Sequence, residues 1–194
     1  MFIEIEQVLI DRHRIARRVR EMAGAIATDL AAITAREKSS VEGRVVFVPI
    51  MTGAMIFAAD LVREMPIKLS LELVAISSYP GQSVVSRGAR LASELPRDLA
   101  GKHVVVIDDI LDSGQTLDLV RKAILAQNAA SVRLCVLLRK NVQRVVEVEP
   151  DYVGFEIPDA FVVGYGLDYD GYYRNYPEIG TLNPLAIAQH PPVT

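Results

Sequence analysis

The residues of this chain that are best suited to chemistry follow an apolar run near its middle. Residues 104–116 read VVVIDDILDSGQT, so the adjacent carboxylates of Asp108 and Asp109 follow the apolar run, and Asp112 precedes a short polar run. The apolar run predicts a buried strand of a parallel sheet, and the polar run predicts a loop that leads into a helix. Backbone N–H groups and hydroxyls at the start of a helix suit a phosphate. Carboxylates beside such a site indicate a ligand that also carries hydroxyl groups, together with a divalent cation.

The elements that must position these residues alternate between helices and strands. Asp11 is the expected N-cap of a helix that runs to residue 35, because apolar residues recur on one face in steps of three or four. The other predicted helices cover residues 53–64 and 116–127. The predicted strands cover residues 45–50, 69–77, 90–95, 104–107 and 132–138, with shorter extended pieces at 153–155 and 161–163. This alternation predicts an α/β fold in which a mainly parallel, twisted sheet is flanked by helices.

The carboxyl ends of the predicted strands are the expected place for a ligand. In a parallel sheet with helices on both faces, ligands bind beyond those ends. The polar groups after residues 50, 107, 138 and 163 are therefore expected to converge on one edge. Residues 79–88 contain proline, glycine and serine, which predicts a long mobile loop near that edge.

Length and composition limit the class of protein. The 194 residues show no linker or repeat, so residues 1–194 are expected to form a single domain. The net charge of −3, without a basic block, argues against a large nucleic-acid surface. The single cysteine, Cys135, lies in an apolar run and excludes a disulfide scaffold. No membrane span or signal peptide is predicted, so a cytoplasmic location is expected.

The string at residues 104–116 resembles the 5-phosphoribosyl-1-pyrophosphate signature of the type I phosphoribosyltransferases. The resemblance implies that Asp108 and Asp109 bind the 2′- and 3′-hydroxyls of ribose. It implies that Asp112 is the general acid or base near N7 of a purine. The implied 5′-phosphate site consists of Asp112, Ser113, Gly114, Gln115 and Thr116. The family fold would add a small hood subdomain, to which the N-terminal helix and residues 153–194 would contribute.

Two further motifs match the same family. Residues 49–54, PIMTGA, occupy the place of the pyrophosphate-binding loop, which would be formed by Met51, Thr52 and Gly53. Relatives often have a non-proline cis peptide in this loop, and the matching bond is Met51–Thr52. Ser78 and Tyr79 match a serine–tyrosine pair in a lid, which would close over the reaction and exclude water.

The stretch that ends at Arg174 closely resembles the hypoxanthine-guanine phosphoribosyltransferases. The resemblance implies that Phe161 stacks on the purine and that Val162 offers backbone groups to the base edge. Lys140 would donate to the exocyclic O6 of the base. Asp168 would hold Mg²⁺ and lie near purine C2. Arg174 would bind pyrophosphate oxygens through charge-assisted hydrogen bonds.

The resemblance as a whole implies an enzyme of purine salvage. It would transfer the 5-phosphoribosyl group to N9 of hypoxanthine or guanine, giving IMP or GMP and pyrophosphate. Mg²⁺ is the implied cofactor, for which Asp108 and Asp109 are further candidate ligands beside Asp168. A homodimer or homotetramer is implied, without a nucleic-acid or membrane partner. The chain departs from the family pattern at Thr52, Ala54, Asp108 and Gln115, where relatives often carry lysine or asparagine, glycine or serine, glutamate, and lysine, respectively.

Other functions remain open at this point. The same chemistry on xanthine or a pyrimidine is the nearest alternative, although Lys140, Phe161 and Asp168 favour a 6-oxopurine. A regulator with the same fold, binding the sugar pyrophosphate or a nucleotide, predicts a basic face and a lost acid at position 112. Asp112 is present and the net charge is −3, which argues against that regulator. A P-loop nucleotide hydrolase is excluded because the sequence lacks G-x-x-x-x-G-K-[ST].

Overall fold

The computed structural model describes residues 2–38, 40, 42–77, 90–91 and 96–183. Its helices are α1 (Arg12–Arg36), α2 (Met55–Glu64) and α3 (Gln115–Leu125). Its strands are β1 (Ile5–Ile10), β2 (Val45–Met51), β3 (Ser70–Leu71), β4 (Val74–Ser77), β5 (Arg90–Leu91), β6 (His103–Leu111), β7 (Ser131–Lys140), β8 (Tyr152–Ile157), β9 (Val162–Val163) and β10 (Ile179–Leu182).

The main sheet is mostly parallel. Within the described residues its strands follow the order β5-β4-β2-β6-β7-β8, and β3 also pairs with β2. Every pairing in it is parallel except that of β4 with β5. The helices cover both faces, and the prediction of an α/β fold with a mainly parallel sheet is confirmed.

Alternation along the central strands divides the core between the two faces. Val45 and Phe47 of β2 pack in one apolar cluster with α1 and α2. Val46 and Val48 of the same strand pack in a second cluster with α3. Successive side chains of a strand point to opposite faces, and both faces here are covered, so the central strands are apolar throughout.

The long helix α1 forms as predicted. The Asp11 side chain accepts hydrogen bonds from the backbone N–H groups of His13 and Arg14, both at 2.9 Å, and so caps the helix. The predicted apolar face is buried in the core at Ile15, Val19, Met22, Ile26 and Leu30. No described helix combines the length and apolar character needed to cross a lipid bilayer.

The predicted strand at residues 69–77 is wrong as one continuous element. The structure has β3 and β4 instead, both in the same register on β2. The backbone N–H of Glu72 donates to the Phe47 carbonyl at 2.9 Å, so the backbone N–H and C=O groups of Phe47 point towards the segment that contains β3 and β4. The backbone of Pro49, two residues further along β2, points to the same side. Since proline has no N–H, the ladder is interrupted opposite Pro49.

The signature strand is longer than predicted. β6 runs to Leu111, because its pairing with β7 continues from Asp108 opposite Val136 to Leu111 opposite Arg139. The tandem carboxylates therefore belong to the strand, which corrects its predicted end at residue 107. β7 also extends to Lys140, which is its last residue.

A second, smaller sheet was not predicted. Within the described residues it contains β1, β10 and β9, in that order, paired antiparallel. The apolar face of α1 lies in the same cluster as the main sheet. The assignment of α1 and residues 153–194 to a hood stays a prediction, and residues 184–194 lie outside the described part of the chain. So do Ser78, Tyr79 and the predicted loop at 79–88.

Candidate active site

A cleft of about 540 Å³ lies at the carboxyl ends of β2, β4 and β6. This is the edge at which the sequence predicted convergence. Its lining includes these predicted site residues: Met51, Thr52, Gly53, Asp108, Asp109, Asp112, Ser113, Gly114, Thr116, Asp168 and Arg174. Three segments that are far apart in the chain therefore meet in one cavity.

The tandem carboxylates form the floor of this cleft. The Asp108 side chain is buried, and its Oδ1 accepts the backbone N–H of Asp109 at 3.1 Å. Asp109 Oδ1 accepts the backbone N–H of Ile110 at 3.0 Å. Burial raises the pKa of Asp108 well above its usual range, and the neighbouring charge of Asp109 raises it further. Burial also raises the pKa of Asp109, against the lowering effect of its hydrogen bonds and of Arg174. A bound cation or hydroxyl donors would compensate for the burial of these two acids.

The loop between β2 and α2 lies directly against Asp109. The peptide bond between Met51 and Thr52 is cis, as the family pattern predicted. A Cβ atom added to Gly53 would overlap the Asp109 carboxylate, so only glycine allows this approach. A Cβ atom added to Gly166, in a turn after β9, would likewise overlap the Gly53 carbonyl. The loop is therefore held between the acid pair and that turn.

The polar run after β6 opens α3. Gly114 is the N-cap residue and has φ of +81°, a left-handed conformation that favours glycine. A Cβ at this position would overlap the carbonyl of Val146, whose backbone N–H donates to the Ser113 carbonyl at 3.0 Å. The start of the helix is thus fixed against a neighbouring loop, with Ser113 and Thr116 facing the cleft. Gln115, the first residue of α3, is not among the residues that line it.

Lys140 reaches this edge from the end of β7. Its Nζ donates to Asp112 Oδ2 at 3.0 Å, and it lies 3.5 Å from Asp159 Oδ1. The lysine side chain is only 13% exposed, whereas that of Asp112 is 54% exposed. Lys140 therefore joins the site through Asp112, although it does not itself line the cleft.

Asp168 and Arg174 close the other side of the cleft. Arg174 Nη2 contacts Asp168 Oδ1 at 2.7 Å, and Arg174 Nη1 donates to the Gly166 carbonyl at 2.7 Å. Asp168 Oδ2 accepts the backbone N–H of Gly171 at 2.8 Å. The Tyr165 hydroxyl donates to Asp60 of α2 at 2.7 Å, which holds the same turn against that helix. The geometry places a fixed carboxylate beside a fixed guanidinium.

The carboxylates of Asp108, Asp109 and Asp168 suit a Mg²⁺ ion that is also bound by the phosphates of a substrate. Among the described residues, no group of three or more His, Cys, Asp or Glu side chains forms a metal cage. Mg²⁺ usually needs only one or two carboxylates, since substrate phosphates and water supply its other ligands. The raised pKa values of Asp108 and Asp109 mark a place where a cation would stabilise the ionised acids.

Phe161 and Val162 lie outside the lining of the cleft. Phe161 is half exposed, and its ring meets Tyr169 edge-to-face at 5.4 Å between centroids. Val162 is buried in β9, where it pairs with Thr181. The structure therefore brings together the predicted sugar, phosphate and pyrophosphate residues more fully than the predicted purine residues.

The sequence analysis missed part of the site. Ala75 and Ile76 line the cleft at the end of β4, and the rule that ligands bind beyond strand ends could have found them. Asp159, beside Lys140, carried no signal of its own, because its position depends on the pairing of β7 with β8.

Comparisons with known proteins agree with this geometry. The family model described as a phosphoribosyl transferase domain matches residues 14–170. The hypoxanthine-guanine phosphoribosyltransferase of Mycobacterium tuberculosis strain H37Rv is 38% identical over 182 residues, covering 93% of this chain and 88% of that protein. The enzyme of the same name from Bacillus subtilis strain 168 is 35% identical, covering 93% and 95%. A Trypanosoma cruzi hypoxanthine phosphoribosyl transferase structure has a TM-score of 0.88 at 30% identity, covering 98% of this chain and 97% of that one.

Proposed function

The chain belongs to the hypoxanthine-guanine phosphoribosyltransferase family, and from this we propose that it transfers the 5-phosphoribosyl group of 5-phosphoribosyl-1-pyrophosphate to N9 of hypoxanthine or guanine. The products would be IMP or GMP and pyrophosphate, as in purine salvage. The observation that carries the proposal is the single cleft in which the acid pair, the start of α3 and the Asp168–Arg174 pair meet.

The two ends of the sugar would be held by different elements. Asp108 and Asp109 would accept hydrogen bonds from the 2′- and 3′-hydroxyls of ribose, which would compensate for the burial of these acids. The 5′-phosphate would lie at the N-terminus of α3, where backbone N–H groups and the hydroxyls of Ser113 and Thr116 can donate. Gln115 and Asp112 belong to the same proposed phosphate loop.

The pyrophosphate would occupy the side of the cleft formed by residues 51–53 and Arg174. The guanidinium of Arg174 would stabilise negative charge that grows on the leaving group as the glycosidic bond breaks. Asp168 is the proposed Mg²⁺ ligand, with Asp108 and Asp109 as further candidates. When bound, Mg²⁺ would supply positive charge to the pyrophosphate oxygens.

The purine would face Asp112 and Lys140. These side chains lie 3.0 Å apart, which suits the adjacent N7 and O6 atoms on one edge of a 6-oxopurine. Lys140 would donate to O6, and the Asp112 carboxylate would exchange a proton with N7 as N9 becomes the nucleophile. The half-exposed ring of Phe161 is available for stacking on the base, and Val162 would contact its edge through the backbone.

The sugar carbon C1′ would develop oxocarbenium character between these groups. The carboxylates of Asp108 and Asp109 would then place negative charge near a cationic sugar while they fix its orientation. A lid that begins at Ser78 and Tyr79 would exclude water from the activated sugar. A homodimer or homotetramer in the cytoplasm completes the proposal.

The direct test is nucleotide formation. The protein is incubated with 5-phosphoribosyl-1-pyrophosphate, Mg²⁺ and one base at a time. The bases are hypoxanthine, guanine, xanthine, adenine and uracil. IMP or GMP as the main product is the expected result. If the main product came from xanthine or uracil, that base would replace hypoxanthine and guanine as the proposed substrate. If none of the five bases gave a product, the result would contradict phosphoribosyl transfer and favour a regulator that binds the sugar pyrophosphate.

A further inference from the structure

The ammonium group of Lys140 lies between two carboxylates. Asp112 Oδ2 lies 3.0 Å from Nζ, and Asp159 Oδ1 lies 3.5 Å from it. The lysine side chain is 13% exposed, whereas those of Asp112 and Asp159 are 54% and 71% exposed. The lysine is thus the shielded member of the group, and both acids reach it from the solvent side.

The proposed function makes different demands on the two acids. Asp112 would turn to purine N7 and carry a proton for part of the reaction, and a protonated acid no longer balances the lysine charge. The bound base would also remove water from Lys140, and a charged group that loses water needs a compensating partner. Asp159 has no place in that proton transfer, so its charge remains available throughout.

Resting on the proposed function, we propose that Asp159 is a positioning residue that holds Lys140 against O6 of the base while Asp112 exchanges a proton with N7. Asp159 would touch neither the base nor the sugar. Its effect on the reaction would pass entirely through Lys140, by fixing the direction of the ammonium group and by keeping a negative charge beside it.

The backbone places Asp159 for this task. Lys140 pairs with Ile157 at the end of β8, and the backbone N–H of Asn141 donates to the Ile157 carbonyl at 3.0 Å. Pro158 follows, and its carbonyl accepts the N–H of Ala160 at 2.8 Å. The turn that carries Asp159 is therefore tied to the strand end that carries Lys140, and a short side chain suffices to bridge them.

The test compares Asp159→Asn in two backgrounds. In the wild-type background, Asp159→Asn should raise the KM for hypoxanthine about three- to tenfold, with kcat within about twofold, because a part-shielded ion pair contributes more than an exposed one. Asp159→Glu keeps the charge and should recover part of this loss. In a Lys140→Ala background, Asp159→Asn should change neither constant, because the group through which it acts is gone.

The control is Glu42→Gln, which removes an exposed acid that is paired with the exposed Lys68 at 2.7 Å, away from the cleft. It should leave the kinetic constants as in the wild type. An active wild type whose constants do not change in Asp159→Asn would overturn the role of Asp159 alone. A loss that persists in the Lys140→Ala background would also overturn it, since the effect would then be structural. A wild type that forms no nucleotide would overturn both this role and the proposed function.

Discussion

Gly53 and Asp109 lie so close together that a single added carbon atom would overlap the Asp109 carboxylate. Gly53 comes from the cis-containing loop after β2, and Asp109 comes from the neighbouring strand β6. The contact places the proposed pyrophosphate loop directly against the proposed ribose site, so a side chain at position 53 would disturb both.

The substitution Gly53→Ala should therefore impair the reaction more than the fold. The new methyl group must displace the Asp109 side chain, and overpacking of this kind costs about 1–3 kcal/mol. Because the displaced carboxylate is the proposed ribose ligand, kcat/KM for 5-phosphoribosyl-1-pyrophosphate should fall by at least about tenfold. Steady-state kinetics and thermal denaturation of the same preparation measure the two effects.

The matched control for this change is Gly24→Ala. Gly24 lies in α1, and a Cβ added there would have no neighbouring atom within 4 Å. The control should keep full activity and gain up to about 1 kcal/mol of stability, because alanine favours a helix over glycine. If Gly53→Ala matched this control in activity, the tight contact would have no functional meaning.

The buried acid pair should make the ligand-free protein less stable as the pH rises. A carboxyl group whose pKa is raised on folding binds its proton more tightly in the folded state than in the unfolded state. Its contribution to stability is therefore fully present below the usual value near 3.8 and is lost as the pH rises through the raised value. Asp108→Asn removes that loss and keeps an oxygen for the Asp109 N–H.

We expect Asp108→Asn to stabilise the ligand-free protein at pH 7, because the wild type must either ionise a buried carboxyl group or keep it protonated at that pH. The gain should shrink towards pH 4. Urea denaturation from pH 4 to pH 8 measures it, with Glu42→Gln, which removes an exposed acid, as the control. A variant less stable than the wild type at pH 7 would contradict the burial argument. The same variant should lose the stabilisation that Mg²⁺ and 5-phosphoribosyl-1-pyrophosphate give the wild type.

Local patterns predicted the parts of the molecule that depend on local physics. The apolar stripe of α1 and the Asp11 cap are confirmed because helix periodicity and capping involve neighbours in sequence. The string at residues 104–116 placed Asp108, Asp109 and Asp112 at the carboxyl edge of the sheet, where they line the cleft. That success depended on one general rule, that parallel strands present their ends together.

Pairing between segments that are distant in the chain could not be predicted from the sequence. The extension of β6 through Asp108 depends on β7, and the break opposite Pro49 depends on the neighbour that this residue faces. β1 and β10 pair with each other although most of the chain separates them in sequence, so neither strand was predicted. The contact of Lys140 with Asp159 likewise arises only once β7 and β8 are aligned.

The substitution Lys140→Ala should weaken the discrimination between hypoxanthine and adenine. Without the ammonium group, O6 of hypoxanthine loses its donor, and the KM for hypoxanthine should rise by about tenfold or more. Adenine has an amino group in place of O6, so its binding should not weaken. The ratio of the Kd of AMP to the Kd of IMP, measured by equilibrium binding, should therefore fall. An unchanged KM for hypoxanthine would exclude Lys140 from base recognition.

The substitution Asp112→Asn should separate binding from turnover. Asparagine keeps an oxygen that can accept a hydrogen bond from Lys140, which lies 3.0 Å from the native carboxylate, but it cannot exchange a proton with N7. We therefore expect kcat to fall by about 10²–10⁴-fold, while the KM values for both substrates stay within about threefold. The measurement is steady-state kinetics of variant and wild type across the pH range, with Glu42→Gln as a control that also removes one carboxylate beside a lysine. Equal turnover of Asp112→Asn and wild type at every pH would remove Asp112 from the proton transfer and leave it only the role of holding Lys140.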